Sequence, residues 1–172
     1  TIISQLYTYF KKGLELKGKK ALVTAGPTYE HIDPVRFIGN HSSGKMGVAI
    51  ATELADRGAD VTLVIGSTAI SVNNNSINTI KVNTAAEMYT ACANVFPEMD
   101  FAIMAAAVAD YTPVTVAEEK IKKKDEGWSL SLIKTKDILK SLGERKTKEQ
   151  LLIGFALETN NEKENALKKL HN

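Results

Sequence analysis

Five short apolar runs, each followed by helical spacing or a polar loop, constrain this chain more than any other feature. The first, residues 19–25, carries Ala21-Leu22-Val23 without interruption after two lysines, as expected of a strand covered on both faces. The others span 59–66, 79–83, 99–107 and 150–156. Between the first two, Gly47, Ile50, Ala51, Leu54 and Ala55 fall on one face of a helix over 44–57, and Gly58 supplies its stop. Thr84-Ala-Ala-Glu87 is a capping box opening a second helix, whose Met88, Ala91, Cys92 and Val95 point inward. Ile138, Leu139 and Leu142 mark a short third helix that Gly143 ends. Strands alternating with helices in this way predict an α/β fold: an open, mainly parallel, Rossmann-like three-layer sheet.

The whole-chain numbers exclude several function classes. A length of 172 residues suits one domain with a real core. A net charge of +2 gives no general reason to bind nucleic acid or an anionic membrane, so any anion site must come from local clustering. One cysteine rules out an intrachain disulfide framework and suits a reducing compartment. No apolar run approaches the roughly 20 residues that span a bilayer, and no signal peptide opens the chain, so a cytoplasmic location is expected. Residues 1–12 place Ile2, Ile3, Leu6 and Phe10 at helical spacing, which makes 1–18 an expected linker helix ahead of a nucleotide-binding domain over 19–172. The chain starts at Thr1 and stops inside a lysine-rich helical pattern, so it reads as a fragment with an incomplete C-terminus.

Chemistry is expected at the carboxyl ends of the strands, where open α/β sheets bind ligands. The fourth strand thins into alanines (Phe101-Ala-Ile-Met-Ala-Ala-Ala-Val-Ala-Asp110-Tyr111-Thr-Pro113) before it delivers an aspartate. Small side chains there suit either a ligand near the backbone or a tight helix–sheet contact. Gly26 provides a tight turn after the first strand, but the Gly-x-Gly-x-x-Gly fingerprint is absent and Pro27 blocks an immediate helix. Residues 29–45 read as a long polar connection, carrying Glu30, His31, Asp33, Arg36 and Asn40. Within it, Gly39-Asn-His-Ser-Ser-Gly44-Lys45 has the spacing of a phosphate loop. It carries Met46 where Ser or Thr should hold magnesium, and it is not expected to follow a strand directly. It keeps small residues opening a helix, whose backbone N–H groups suit an anion.

Beyond Pro113, residues 120–124 and 128–133 flank Asp125-Glu126-Gly127 and read as a β-hairpin flap over about 113–134. Strand periodicity would put Lys120, Lys122 and Lys124 on one face of its first arm. Seven lysines stand against three acids over 120–140. That balance suits a triphosphate, although such charges also keep an edge strand soluble. Cys92 sits on an apolar helix face with no basic neighbour in sequence and is expected to be inert core.

Six motifs then occur in order: Gly26-Pro-Thr, Asp33-Pro-Val-Arg36, Asn40-His-Ser-Ser-Gly-Lys45, Ala106-Ala-Val-Ala-Asp110-Tyr111, Lys120-Ile-Lys-Lys123 and Gly154-Phe-Ala-Leu-Glu-Thr159. Together they resemble the bacterial phosphopantothenoylcysteine synthetases, often the C-terminal half of a bifunctional coenzyme A biosynthesis protein. The resemblance runs from about Lys19 to the last residue. It implies a ligase that joins 4′-phosphopantothenate to L-cysteine through an acyl-cytidylate, with CTP as activator and Mg2+. FMN is implied only if the flavin-dependent decarboxylase half is present, and the 1–12 helix resembles the linker after that half. By position, Asn40 matches the asparagine that holds the acyl-cytidylate, and Lys120 the functional lysine at the nucleotide phosphates. Met104, Ala105, Ala106 and Asp110 match the segment around the cytidine. Lys136, Asp137, Ile138 and Leu139 match the helix start beside it, and Phe155 an aromatic near the base. Arg36 matches an arginine of the loop before Asn40, on the substrate side. Lys169 matches one of a C-terminal lysine pair whose other member would lie beyond Asn172. The resemblance also implies a homodimer through 40–55, within a larger assembly if the decarboxylase half is present.

The residue types agree with that chemistry. No Ser–His or Cys–His nucleophile pair is evident, and a substrate carboxylate that is itself the nucleophile needs none; positioning and charge neutralisation remain. His31 and His41 are lone loop histidines. Two other readings are open: a short-chain NADP oxidoreductase, since Ser67 would tolerate a 2′-phosphate, and a scaffold module that holds a decarboxylase partner together without nucleotide chemistry.

Overall fold

The computed structural model describes residues 1–3, 5, 14–123 and 127–155. Most of the expected linker helix, Lys124, the helix expected after Glu158, and Lys169 lie outside the described residues. The elements in chain order are β1 (Lys20–Ala25), β2 (Tyr29–His31), β3 (Phe37–Gly39), α1 (Lys45–Asp56), β4 (Asp60–Ile65), β5 (Ile77–Lys81), α2 (Ala85–Val95), a 3-10 turn (Phe96–Glu98), β6 (Phe101–Met104), β7 (Tyr111–Pro113), β8 (Leu132–Lys134), α3 (Ile138–Gly143) and β9 (Leu151–Gly154).

Strands β5, β4, β1, β6 and β9 lie side by side in that order, every neighbouring pair parallel. The central strand carries the period-two logic of a sheet buried on both faces. Leu22 packs with Val64, Met88, Cys92, Phe96, Ala102 and Leu142 on the face that α2 and α3 cover. Ala21, Val23 and Ala25 pack with Ala51, Val61, Leu63 and Ile65 on the α1 face. The chain leaves β1 toward β4 on one side and later places β6 on the other. The crevice at their carboxyl ends is therefore the topological switch point of the fold.

Local chemistry sets the helix ends. Gly44 adopts φ 77° at the N-cap of α1, and Gly58 adopts φ 87° just past its end, where its N–H donates to Ala55 O at 2.9 Å. For α2, the Thr84 hydroxyl accepts the Glu87 N–H at 3.2 Å, while Glu87 Oε2 accepts the Asn83 N–H at 2.7 Å. The reciprocal cap is thus made one residue further back than the ideal box. Among the described residues no helix is long and apolar enough to cross a membrane.

Four local expectations change. The third strand is Ile77–Lys81, two residues earlier than its pattern suggested, because parallel pairing with β4 sets Val61 opposite Ile77 while Val82 turns into the α2-side core. The fourth pairs in the sheet only over Phe101–Met104, after which the chain turns across the sheet end. The connection 29–45 is not irregular. Tyr29–His31 and Phe37–Gly39 form an antiparallel hairpin, and the Tyr29 ring stacks on Phe37 with centroids 4.0 Å apart. The flap is also built differently: Tyr111–Pro113 pairs antiparallel with Leu132–Lys134, so Lys120, Lys122 and Lys123 are on an irregular excursion between the arms, not on a strand. Pro113 ends its short arm without needing to donate to an inner ladder.

Candidate functional site

The alanines after β6 lace the sheet end together. Ala106 N–H donates to Thr24 Oγ1 at 3.1 Å, Ala107 N–H to Gly26 O at 2.9 Å, and Ala109 N–H to Thr28 Oγ1 at 2.9 Å. In return, Thr28 N–H donates to Ala107 O at 3.3 Å. Thr24 and Thr28 are buried, so their hydroxyls act as internal partners for a backbone that has left the ladder. Small side chains are therefore used first to let residues 105–110 lie across the exit of β1.

Backbone packs against backbone here, and glycines make the room. A Cβ on Gly66 would stand 2.0 Å from Pro27 O, and one on Gly47 would stand 2.7 Å from Thr24 O. Gly44 opens α1 directly over Gly26, where a Cβ would meet its nitrogen at 3.2 Å. The N-terminus of α1 thus faces the β1 exit with no side-chain cap on Gly44, while Ser42 Oγ and Ser43 Oγ accept the N–H groups of Gly44 and Lys45 at 3.3 and 3.4 Å. The 39–45 loop does follow a strand, contrary to expectation, but β3 belongs to a separate two-stranded hairpin and not to the parallel sheet. A phosphate loop needs its strand in the main sheet, so that identification fails on topology as well as on Met46.

Asn40 leaves the end of β3 and donates through Nδ2 to Val108 O at 2.9 Å. That bond joins the 39–45 loop to the 105–110 segment, which sequence spacing alone leaves 68 residues apart. Asp110 is exposed at the tip of the segment; its carbonyl accepts the Thr135 N–H at 2.9 Å, and Ala109 O accepts the Thr135 hydroxyl at 2.6 Å. Asp110 is thereby fixed at the root of the β7–β8 flap. Met104 and Ala106 are half-buried against the α2-side core, and Ala105 is half-buried between them.

Lys136 lies with Nζ 4.1 Å from the centre of the Tyr89 ring. The Tyr89 phenol is pulled down to about 8, first by Lys136, then by Ser141 and Arg145, against burial. Arg145 donates to its oxygen at 2.8 Å. Asp137 caps α3, accepting the Lys140 N–H at 2.9 Å, and Ile138 is buried in the core. Leu139 lies over Gly154, where a Cβ would stand 2.5 Å from Leu139 Cδ2, and so brings the start of α3 to the end of β9. Phe155 follows β9 and is exposed. Lys120 is exposed on the excursion between the flap arms.

Arg36, expected on the substrate side, has two of its guanidinium nitrogens engaged within the protein. Its Nε is 3.2 Å from Asp33 Oδ2, and its Nη2 donates to Ile121 O. Asp33, fully buried at the turn of the β2–β3 hairpin, and Glu30, whose Oε1 accepts the Ala85 N–H at 2.8 Å at the start of α2, were named in the sequence reading but given no role of their own. An Asp-Pro turn signal at 33–34 was available for the first. His31 and His41 are exposed, and Cys92 is buried, its thiol pushed up to about 12 by burial.

Residues 16–172 match the family described as the DNA/pantothenate metabolism flavoprotein C-terminal domain. The chain is 48% identical over 155 residues to the coenzyme A biosynthesis bifunctional protein CoaBC of Bacillus subtilis, covering 90% of this chain and 38% of that protein. It is 45% identical over 169 residues to CoaBC of Haemophilus influenzae, covering 98% and 42%. It is also 47% identical over 173 residues to a cysteine/cysteine sulfinic acid decarboxylase of an unknown prokaryotic organism, covering 98% and 48%. The chain thus spans less than half the length of each of these relatives. Among solved structures, a C-terminal domain of CoaBC superposes with a TM-score of 0.79 at 47% identity, covering 91% of this chain and 73% of that one. A DNA/pantothenate metabolism flavoprotein of Streptococcus pneumoniae superposes at 0.77 with 26% identity, covering 90% and 78%. The family match takes in β1, the Asn40 loop, the 105–110 segment and the flap alike, and the chain belongs to the DNA/pantothenate metabolism flavoprotein C-terminal domain family.

Proposed function

We propose that this chain carries the phosphopantothenate–cysteine ligase step of coenzyme A biosynthesis, with CTP as the activating nucleotide. The observation that carries the reading is the Asn40–Val108 bond, which sets the candidate acyl-cytidylate ligand beside the candidate cytidine segment at the switch point of the sheet. The 45–48% identity to CoaBC proteins supports it.

In this reading the carboxylate of 4′-phosphopantothenate attacks the α-phosphate of CTP, forming an acyl-cytidylate and releasing pyrophosphate. The amine of L-cysteine then attacks the acyl carbon, and CMP leaves as the amide forms. Both nucleophiles come from substrates, so the protein supplies position and charge. Backbone groups of 104–106 border the cytosine, Asp110 accepts from ribose hydroxyls, Lys120 meets the phosphates, and the helix start at Lys136 and Asp137 flanks the nucleoside. Asn40 holds the adduct, and Phe155 and Leu139 close the base side. Lys169 adds charge from the C-terminal segment.

Among the described residues no group of three or more His, Cys, Asp or Glu side chains could hold a metal ion. In this reading magnesium enters on the nucleotide phosphates, the usual arrangement for Mg2+, where it would neutralise phosphate charge. FMN belongs to this reading only through a decarboxylase half in the full-length protein.

A homodimer is part of the same proposal. The neighbouring β2–β3 and β7–β8 hairpins expose Val35, Phe37, Tyr111, Leu132 and Ile133, and α1 exposes Met46 in its first turn. An apolar surface of this kind suits pairing with a second copy.

The test is made on the full-length protein. Sustained release of CMP and pyrophosphate should require phosphopantothenate and cysteine together, with no more than one pyrophosphate per site when cysteine is left out, and CTP should outcompete ATP and NADPH in a binding titration. Release without phosphopantothenate, or tighter binding of NADPH than CTP, would overturn the reading. Lys120→Gln should cut turnover by about tenfold or more, as loss of one charge-assisted contact implies, with the fold unchanged.

A further inference from the structure

We infer that Asp33 is a positioning residue: its buried carboxylate clamps the 120–123 lysine stretch to the turn of the β2–β3 hairpin and thereby fixes the backbone that carries Lys120. The inference rests on the reading that Lys120 acts at the nucleotide phosphates.

The two carboxylate oxygens of Asp33 do different jobs. Oδ1 accepts the N–H groups of Val35 and Arg36, both at 2.8 Å, which closes the hairpin turn. A turn needs only that one acceptor. Oδ2 accepts the N–H of Ile121 at 3.2 Å, from 88 residues away in sequence, and lies 3.2 Å from Arg36 Nε. Arg36 Nη2 donates in turn to the Ile121 carbonyl. Residue 121 is therefore held through both of its backbone groups by one carboxylate–guanidinium pair. Ala117 N–H donating to Ile32 O at 2.9 Å is a second tie between the same two segments.

The pair is built for strength. Asp33 has no exposed surface, and burial alone would raise its pKa. The Val35, Arg36 and Ile121 N–H donors and the Arg36 charge outweigh that, and the carboxyl is held below its ordinary value. A buried charge that is fully hydrogen-bonded is costly to disturb and geometrically definite. Lys120 and Asn40 also hang on opposite ends of one short ladder. Asp33 and Arg36 occupy the turn of β2–β3, and Asn40 follows the last residue of β3. Catalysis by positioned charge requires such support, because the flexible lysine stem is only as well placed as its backbone.

Asp33→Asn separates the two jobs. With its oxygen in the Oδ1 place, asparagine keeps the turn but sets its amide N–H2 against the Ile121 N–H and Arg36 Nε, donor facing donor. In the full-length protein, native-state trypsin cleavage after Lys120, Lys122 and Lys123 should accelerate about tenfold or more. Cleavage after Lys81, the last residue of β5, should not change. Turnover should fall toward the level of Lys120→Gln, and the double variant should be no worse than Lys120→Gln alone, since both act through one group. Unchanged cleavage at 120–123, equal acceleration at Lys81, or multiplied losses in the double variant would each overturn the inference. Full activity of Lys120→Gln would instead sink the role of Lys120, while the cleavage pattern would still decide whether Asp33 clamps the stretch.

Discussion

Replacing Gly47 with alanine tests whether the site stands on backbone-to-backbone packing between α1 and β1. The added Cβ would lie 2.6 Å from Ala25 Cβ, 2.7 Å from Thr24 O and 2.9 Å from Ala25 Cα. Two of these are main-chain atoms of the central strand, paired on both sides with β4 and β6, so β1 cannot yield cheaply. The helix must instead retreat by about 0.7 Å to reach the 3.4 Å of ordinary contact with Thr24 O. Three contacts below 3.0 Å, two of them to main chain, put the overpacking in the upper part of its usual range, ~2–3 kcal/mol, and leaving glycine inside a helix returns ~1 kcal/mol. The net is about 1–2 kcal/mol of destabilisation, the opposite sign from helix propensity alone. For a domain of this size it corresponds to a midpoint lower by roughly 2–8 °C in a calorimetric scan. Gly143→Ala is the control, because its Cβ would meet only Leu152 Cδ2 at 3.8 Å. That variant should melt slightly higher than the parent. The retreat of α1 would also carry Gly44 away from Gly26 and stretch the Asn40–Val108 bond, so turnover should drop together with stability. A Gly47→Ala protein as stable as the parent would refute the reasoning, since propensity would then have won over packing.

The other predictions concern single side chains. Asn40→Asp places a carboxylate against Val108 O in place of a donor; quenched-flow trapping should show conversion of the acyl-cytidylate slowed about tenfold or more, and full activity would remove Asn40 from the site. Cys92, with its thiol near 12, should resist alkylation at pH 8 in the folded protein and react fully in urea; rapid modification while folded would contradict its burial. Asp100 accepts from Lys19 Nζ at 2.8 Å and Lys20 N–H at 2.7 Å, which hold its pKa below 3.8. Its stabilising contribution is complete above that unfolded value and is lost as pH falls through the lower folded one. Asp100→Asn should therefore flatten the acid limb of the melting curve below pH 3.8, and an unchanged limb would refute this. Phenolate absorbance should reveal one tyrosine titrating near 8 that vanishes in Tyr89→Phe and moves up in Lys136→Met; no such transition would disprove the Tyr89–Lys136 contact.

The Asn40–Val108 bond and the Asp33–Ile121 clamp show why sequence pattern stops short of the site. Both are polar contacts across 68 and 88 residues, and no periodicity encodes which carbonyl or N–H a loop side chain will meet. The lysine-rich stretch shows the same limit in the flap. Its alternation with Ile121 looks like a strand, yet the arms that pair are Tyr111–Pro113 and Leu132–Lys134. The buried Asp33 holds the backbone of residue 121 where a ladder would otherwise have been needed. The third strand misplaced by two residues has a similar cause, since parallel register with β4 decided it.

The sequence by itself determined the parallel α/β sheet, its helices and their ends. Continuous apolar runs such as Ala21-Leu22-Val23 must be covered on both faces, and glycines such as Gly58 can stop a helix at positive φ. It also carried, in ordered motifs, the family to which the chain belongs. Tertiary structure alone decided which motifs stand together at the switch point. It drew the polar 29–45 connection into a hairpin, turned two acids inward, and committed Arg36 to hold residue 121. Burial forms local structure through short-range spacing, whereas a site is assembled by long-range hydrogen bonds whose partners are fixed only once the sheet brings the chain ends of β1 and β6 together.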